Sequence, residues 1–143
     1  MQPFLSPPEH DQVVHALAGV ESRTSSELRV LLYPGRTGDP IDTAAREFTR
    51  LGLDRAKQHN AVLILLAPRS KTFAVHADPE VEERCGSDLW FEVSRAIESD
   101  FRAGRIPDSI VAAASAAGER LAHYYPAEAQ ARPDSHVAVL DPG

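Results

Sequence analysis

The apolar positions along the chain switch between helical and strand spacing, and turn residues mark the switches. Ser6-Pro7-Pro8-Glu9 has the form of a capping box with proline in the first helical turn. The helix it opens carries Val13, Leu17 and Val20 on one face and is expected to run to about Arg23. Leu28 to Tyr33 reads as a mostly apolar strand stopped by Pro34-Gly35. Asp39-Pro40 starts a second helix, with Ala44, Ala45 and Phe48 turned inward. Ala61 to Ala67 is the most apolar run and predicts a central strand buried on both faces. Pro68-Arg69-Ser70-Lys71 turns the chain into a return strand, Thr72 to Ala77.

Beyond Asp78-Pro79 the period becomes helical again. Trp90, Val93, Ile97 and Phe101 share a face expected to be largely buried, with Gly104 as the stop. Pro107-Asp108 opens the last helix, whose inner face is Ile110, Ala114, Ala117 and Leu121. A helical crossover between two strands implies a parallel pair, and the hairpin adds an antiparallel third strand. The expected fold is a three-layer α/β/α sandwich on a mixed sheet, with helices on both faces. Residues 1–126 form the expected single domain, and residues 127–143 a polar tail whose Val137 to Leu140 is either an edge strand or loose.

Composition narrows the function classes. With 143 residues, 43% hydrophobic and 25% charged, the chain has the balance of one ordinary globular domain. A net charge of -6 argues against a nucleic-acid partner, whose phosphates demand cationic surface. No stretch approaches the roughly 20 apolar residues of a membrane helix, so no membrane insertion is expected. Met1 to Glu9 lacks the basic start and apolar run of a secretory leader, and the single cysteine, Cys85, cannot pair internally. A cytoplasmic home is the expectation.

Most candidate chemistry has a plainer explanation. Cys85 lacks the closely following arginine of a phosphate-cradling loop, the next being Arg95. His10 and His15 stand five apart and point to different helix faces, which leaves His76, near Asp78, as the histidine to watch. Gly35-Arg36-Thr37-Gly38 follows a strand and precedes a helix, but it has no lysine and is followed by Asp39. Glu80, Glu82 and Glu83 fit the first turn of a helix, which favours acids. One set converges by topology: Glu21, Thr24, Glu27, Asn60 and Asp78 all fall at one edge of the sheet. Carboxylates plus the neutral oxygen of Asn60 suit a hard cation with six to eight oxygen ligands, calcium before magnesium. The plainer account is caps and turn hydrogen bonds, with Arg23 as the nearest counter-charge.

Three segments carry a family likeness. Glu21-Ser22-Arg23-Thr24-Ser25-Ser26-Glu27-Leu28-Arg29-Val30 resembles the first-strand motif of TPM domains, with Ser26 where glycine is usual. His59-Asn60-Ala61-Val62-Leu63-Ile64-Leu65-Leu66 is similar to the family's asparagine-glycine-valine strand, with Ala61 in place of glycine. Phe101-Arg102-Ala103-Gly104-Arg105 and the helix to Tyr125-Pro126 resemble its C-terminal signature, in the manner of compact bacterial members. The resemblance implies an α/β/α sandwich, divalent-cation binding in some members and an acid-phosphatase label. The functional expectation is a non-catalytic, cation-binding interaction or assembly domain with an unidentified protein partner. Its metal ligands would be Glu21, Glu27, Asp78 and Asn60, the ion calcium, and no organic cofactor is expected. The alternative is a weak metal-dependent acid phosphatase at the same edge.

Overall fold

The computed structural model describes residues 4–55, 58–127 and the backbone of 138–140. In chain order the elements are α1 (Pro7–Glu21), β1 (Glu27–Leu32), α2 (Pro40–Arg50), a 3-10 turn at Leu53–Arg55, β2 (Ala61–Ala67), β3 (Thr72–Ala77), α3 (Pro79–Cys85), α4 (Asp88–Arg102), α5 (Ile106–Tyr124) and β4 (Ala138–Leu140). The capping box forms as the sequence implies: Glu9 N–H donates to Ser6 Oγ, and Ser6 N–H to Glu9 Oε1. Asp39 caps α2 by accepting from Ile41 N–H at 2.9 Å.

The sheet order is β3-β2-β1-β4. β1 runs parallel to β2 with Glu27 opposite Ala61, and β3 returns antiparallel with Ala77 opposite Val62. The apolar run at the end of the tail forms β4, parallel to β1, with Val139 opposite Val30. Val137 itself lies outside the described residues.

Alternation along the strands sends residues into two separate cores. Leu28, Val30, Leu32, Val62, Ile64 and Leu66 pack under α1, α3, α4 and α5. Leu31, Leu63, Leu65 and Ala74 pack under α2 with Ala44 and Phe48. Helices therefore cover both faces, in the three-layer arrangement expected. Every residue of β2 is buried, which explains its unbroken apolar run.

Two details differ from the periodicity. The helical stretch after Asp78 is broken at Gly86, whose φ of 62° and ψ of -158° suit glycine almost alone. After that break the buried stripe of α4 is Leu89, Val93, Ile97 and Phe101. Trp90, expected to be largely buried in the core or at its border, is half-buried at that border, tilted against Phe73 with ring centroids 6.3 Å apart. The helix phase fixed by the Gly86 turn points Leu89 inward instead.

α1 and α5 meet closely because Gly118 leaves space for Val20: a β-carbon on Gly118 would collide with Val20 Cγ1. Gly118→Ala is expected to cost about 1–3 kcal/mol through overpacking, with part recovered by Val20→Ala in the same chain. Leu121 is fully buried, so Leu121→Ala is expected to cost about 2–5 kcal/mol. Urea unfolding of the three variants checks both, and wild-type stability of Leu121→Ala would remove α5 from the core.

Candidate metal site at the entry edge of the sheet

The edge where β1 and β2 begin is held together by polar groups buried among apolar ones. The backbone carbonyl of Tyr125, just past α5, accepts from Thr24 Oγ1 at 2.7 Å and from Ser25 N–H at 3.0 Å. Thr24 Oγ1 in turn accepts from Ser26 N–H at 3.1 Å. These bonds fasten the α1–β1 loop to the end of the last helix. The loop is also tied to β2, since Ser26 Oγ donates to the carbonyl of Asn60 and Asn60 Nδ2 donates to Ser25 O at 3.1 Å. Asn60 is 2% exposed and follows His59, which holds a left-handed φ of 49°. The hydroxyl of Ser26, where the related motif has glycine, supplies one of these ties.

Asp78 completes the edge from β3. Its N–H donates to Ala61 O at 3.0 Å, which extends the β2–β3 ladder by one residue. Its backbone carbonyl accepts from Val81 and Glu82 at the start of α3. The carboxylate makes no capping bond to that helix. The residue is 6% exposed, and Oδ2 is buried with no hydrogen-bond partner among the described residues. The Tyr125 hydroxyl is in the same position. Burial is the main cause that pushes the Tyr125 phenol up, Arg84 opposes it, and Cys85, Glu80 and Asp78 add to the rise. The Arg84 guanidinium lies over the Tyr125 ring, 5.3 Å from its centroid.

The four residues expected to bind metal reach this edge to different degrees. Asn60 and Asp78 are buried and central. Glu27 is half-buried, in register with Ala61 and so in the same row of the sheet as Asp78. Two strand spacings put their α-carbons about 10 Å apart. Glu21, half-buried, closes α1 on the approach to the edge. Among the described residues no three Asp, Glu, His or Cys side chains gather closely enough to hold a metal ion. Glu27 alternates with Leu28, which places it on the α2 side of the sheet, whereas Tyr125 packs in the opposite core. Arg23, the expected counter-charge, is exposed and makes no ion pair with a described residue.

The other candidates have structural roles. His76 stacks edge-on against Phe48 beneath α2, with centroids 4.6 Å apart. The loop at Gly35–Gly38 spends its Thr37 N–H on Ser70 Oγ at 2.7 Å, closing against the β2–β3 turn rather than offering a phosphate cradle. Cys85 is buried at 3% exposure; that burial pushes its thiol up, with Arg120 and Arg84 pulling back. Tyr125 was not reached by sequence reasoning as a site residue; it entered only as the end of the C-terminal segment that resembles the TPM signature.

Comparison with known proteins agrees with the fold. The chain is similar to the BA42 protein of the psychrophilic bacterium Bizionia argentinensis, with a TM-score of 0.85, 29% identity and 97% of each chain covered. It shares its fold with the N-terminal domain of a protein from P. gingivalis at a TM-score of 0.69 and 16% identity, covering 85% of this chain and 79% of that one. No curated protein matches it significantly. The family model described as TPM domain matches residues 2–120, and the chain belongs to the TPM domain family.

Proposed function

We propose that the domain is a non-catalytic, cation-responsive interaction module whose ion binds at Asp78 and Asn60. The observation that carries this reading is the Asp78 carboxylate, buried yet leaving one oxygen without a hydrogen-bond partner. A buried charged group normally has a partner, since its desolvation is expensive otherwise. The bland role for this acid, capping α3, is not taken up. A divalent ion would supply the missing partner, and calcium accepts carboxamide and backbone carbonyl oxygens as readily as carboxylates. Asn60 has its Nδ2 committed to Ser25 O, so its Oδ1 remains the acceptor it can offer. Glu27 and, at the periphery, Glu21 would add charge from the flank. With one central carboxylate the affinity should be on the order of 10⁻⁴–10⁻³ M, as in calcium sites of low ligand charge. Magnesium should bind less well because it demands a stricter octahedron.

Binding there would act on the loop that Tyr125, Ser26 and Asn60 tie together, and through Tyr125 on the segment leading to β4. That is the support for an interaction or assembly role over catalysis. The phosphatase reading is weaker: the one thiol is buried and shifted toward its protonated, poorly nucleophilic form. Hydrolysis would depend on metal-bound water alone.

Calcium at tenfold excess over Kd should add about 1.4 kcal/mol, raising Tm by about 3–6 °C. Asp78→Asn should abolish the calcium shift and, in chelator, melt no lower than wild type, because it removes a charge without a partner. Thermal melts in calcium, magnesium and chelator check this; an Asn variant that is destabilised in chelator with the shift intact would make Asp78 structural. Turnover of p-nitrophenyl phosphate should stay well below about 1 per second. Metal-dependent turnover above that, lost in Asp78→Asn, would establish the phosphatase instead.

Alkaline stability tests the buried thiol and phenol. Both have folded-state values above their unfolded ones, so the stability they lend is full at low pH. It is lost as pH rises, from about 8.5 for Cys85 and about 10 for Tyr125, up through their folded values. Cys85→Ala and Tyr125→Phe should each flatten part of that decline in urea titrations at pH 7 to 11. An unchanged slope in both would place the groups in water.

A further inference from the structure

A second feature lies away from the cation edge, between α4 and α5, on faces these helices do not bury in the core. An open cavity of about 650 Å³ runs there. Its floor is formed by the small side chains of Ala96 and Ala116. Glu92 and Arg120 close one part of the wall with an ion pair across the two helices. Two further wall residues, Arg95 on α4 and Glu119 on α5, are exposed and make no ion pair with any described residue. Phe91, one turn before Arg95 on α4, is 60% exposed, the most exposed large apolar side chain of the described residues.

Pockets for small organic ligands are mostly apolar, with a few polar groups for orientation. This cavity is walled by charges of both signs, which suits a polar protein surface better. The leftover charges are self-complementary. A two-fold axis through the groove would set Arg95 of each copy against Glu119 of the other, the reciprocal pattern that isologous dimers require. Phe91, exposed one turn from Arg95, is the aromatic side chain that such a contact could cover.

We infer that the α4–α5 face is a self-association surface on which two copies of this chain pair through Arg95 and Glu119, with Phe91 as the apolar anchor. Two helices of 15 and 19 residues present a face that would bury on the order of 1,000 Å² in total, at the small end of specific interfaces. The dimer is therefore weak and concentration-dependent.

Sedimentation equilibrium of the full chain from about 10 µM to about 1 mM, where interfaces of this size associate, reads the prediction. The mean mass should climb from 15.6 kDa toward twice that value. Arg95→Glu or Glu119→Arg alone should hold the mass at one chain, since each sets like charges face to face. The double variant Arg95→Glu/Glu119→Arg should restore association, and Phe91→Ser should weaken it. All three positions changed are at the surface, and circular dichroism confirms the fold of each variant before weighing. A wild type that stays at one chain's mass throughout overturns the inference. So do single variants that associate like wild type, or a charge-swapped double variant that stays monomeric.

Discussion

The parallel pairing of β1 with β2 is the constraint on which the rest depends. Because it sets Glu27 opposite Ala61, it also sets the loops entering both strands side by side. Parallel strands need a crossover, and α2 supplies it while covering one face. The other face is then left for α1, α3, α4 and α5, so a single register fixes both cores. A slip of one residue would exchange Leu28 and Val30 with Glu27 and Arg29 and drive charge into the larger core. The loop ends at the entry edge are therefore positioned by apolar packing some distance away.

That positioning explains why polar groups at the edge can be so buried. Thr24, Ser26 and Asn60 donate from their side chains to the carbonyls of Tyr125, Asn60 and Ser25 respectively, and Thr24 Oγ1 accepts from Ser26 N–H. Each tie satisfies a group that would otherwise cost a few kcal/mol to desolvate. Asp78 stands apart in this network because its main chain is fully used while a carboxylate oxygen is not. The contrast with Asp39 is instructive: the same Asp-Pro dipeptide caps α2 through its side chain but leaves α3 without such a bond. Identical local chemistry has been put to different use by the strand that precedes it. Asp78 still belongs to the β2–β3 ladder, whereas Asp39 ends an open loop.

The cation edge and the α4–α5 groove differ in what they ask of their residues. At the edge, burial makes one unmatched oxygen costly, so a ligand there is felt in stability. In the groove, Arg95 and Glu119 are solvated and cost little unpaired, so a partner is felt only in association. The contact at Gly118 and Val20 brings α5 close against α1. It lets the end of α5 reach the α1–β1 loop at Tyr125.

Much of this was legible in the chain itself. The bounds of β2 and β3 followed from unbroken or alternating apolar runs between turn residues, and the Ser6 box and Asp39-Pro40 marked two helix starts. That Glu27 and Asp78 share a row beside Asn60 also followed, because strand direction decides which ends meet. Periodicity did not reveal the break at Gly86, since a glycine inside a helical pattern reads the same whether the helix continues or turns. The half-buried state of Trp90 followed from that missed turn. Nor did the sequence show that Asn60 and Asp78 are buried while Glu21 and Glu27 are half-buried, or that the Tyr125 carbonyl, 101 residues beyond Thr24, ties down the loop entering β1. Local patterns determined the elements and their order because each depends on neighbours a few positions away. Which acid was left without a partner was decided only by the tertiary structure, because hydrogen-bond satisfaction depends on groups that distant segments bring into reach.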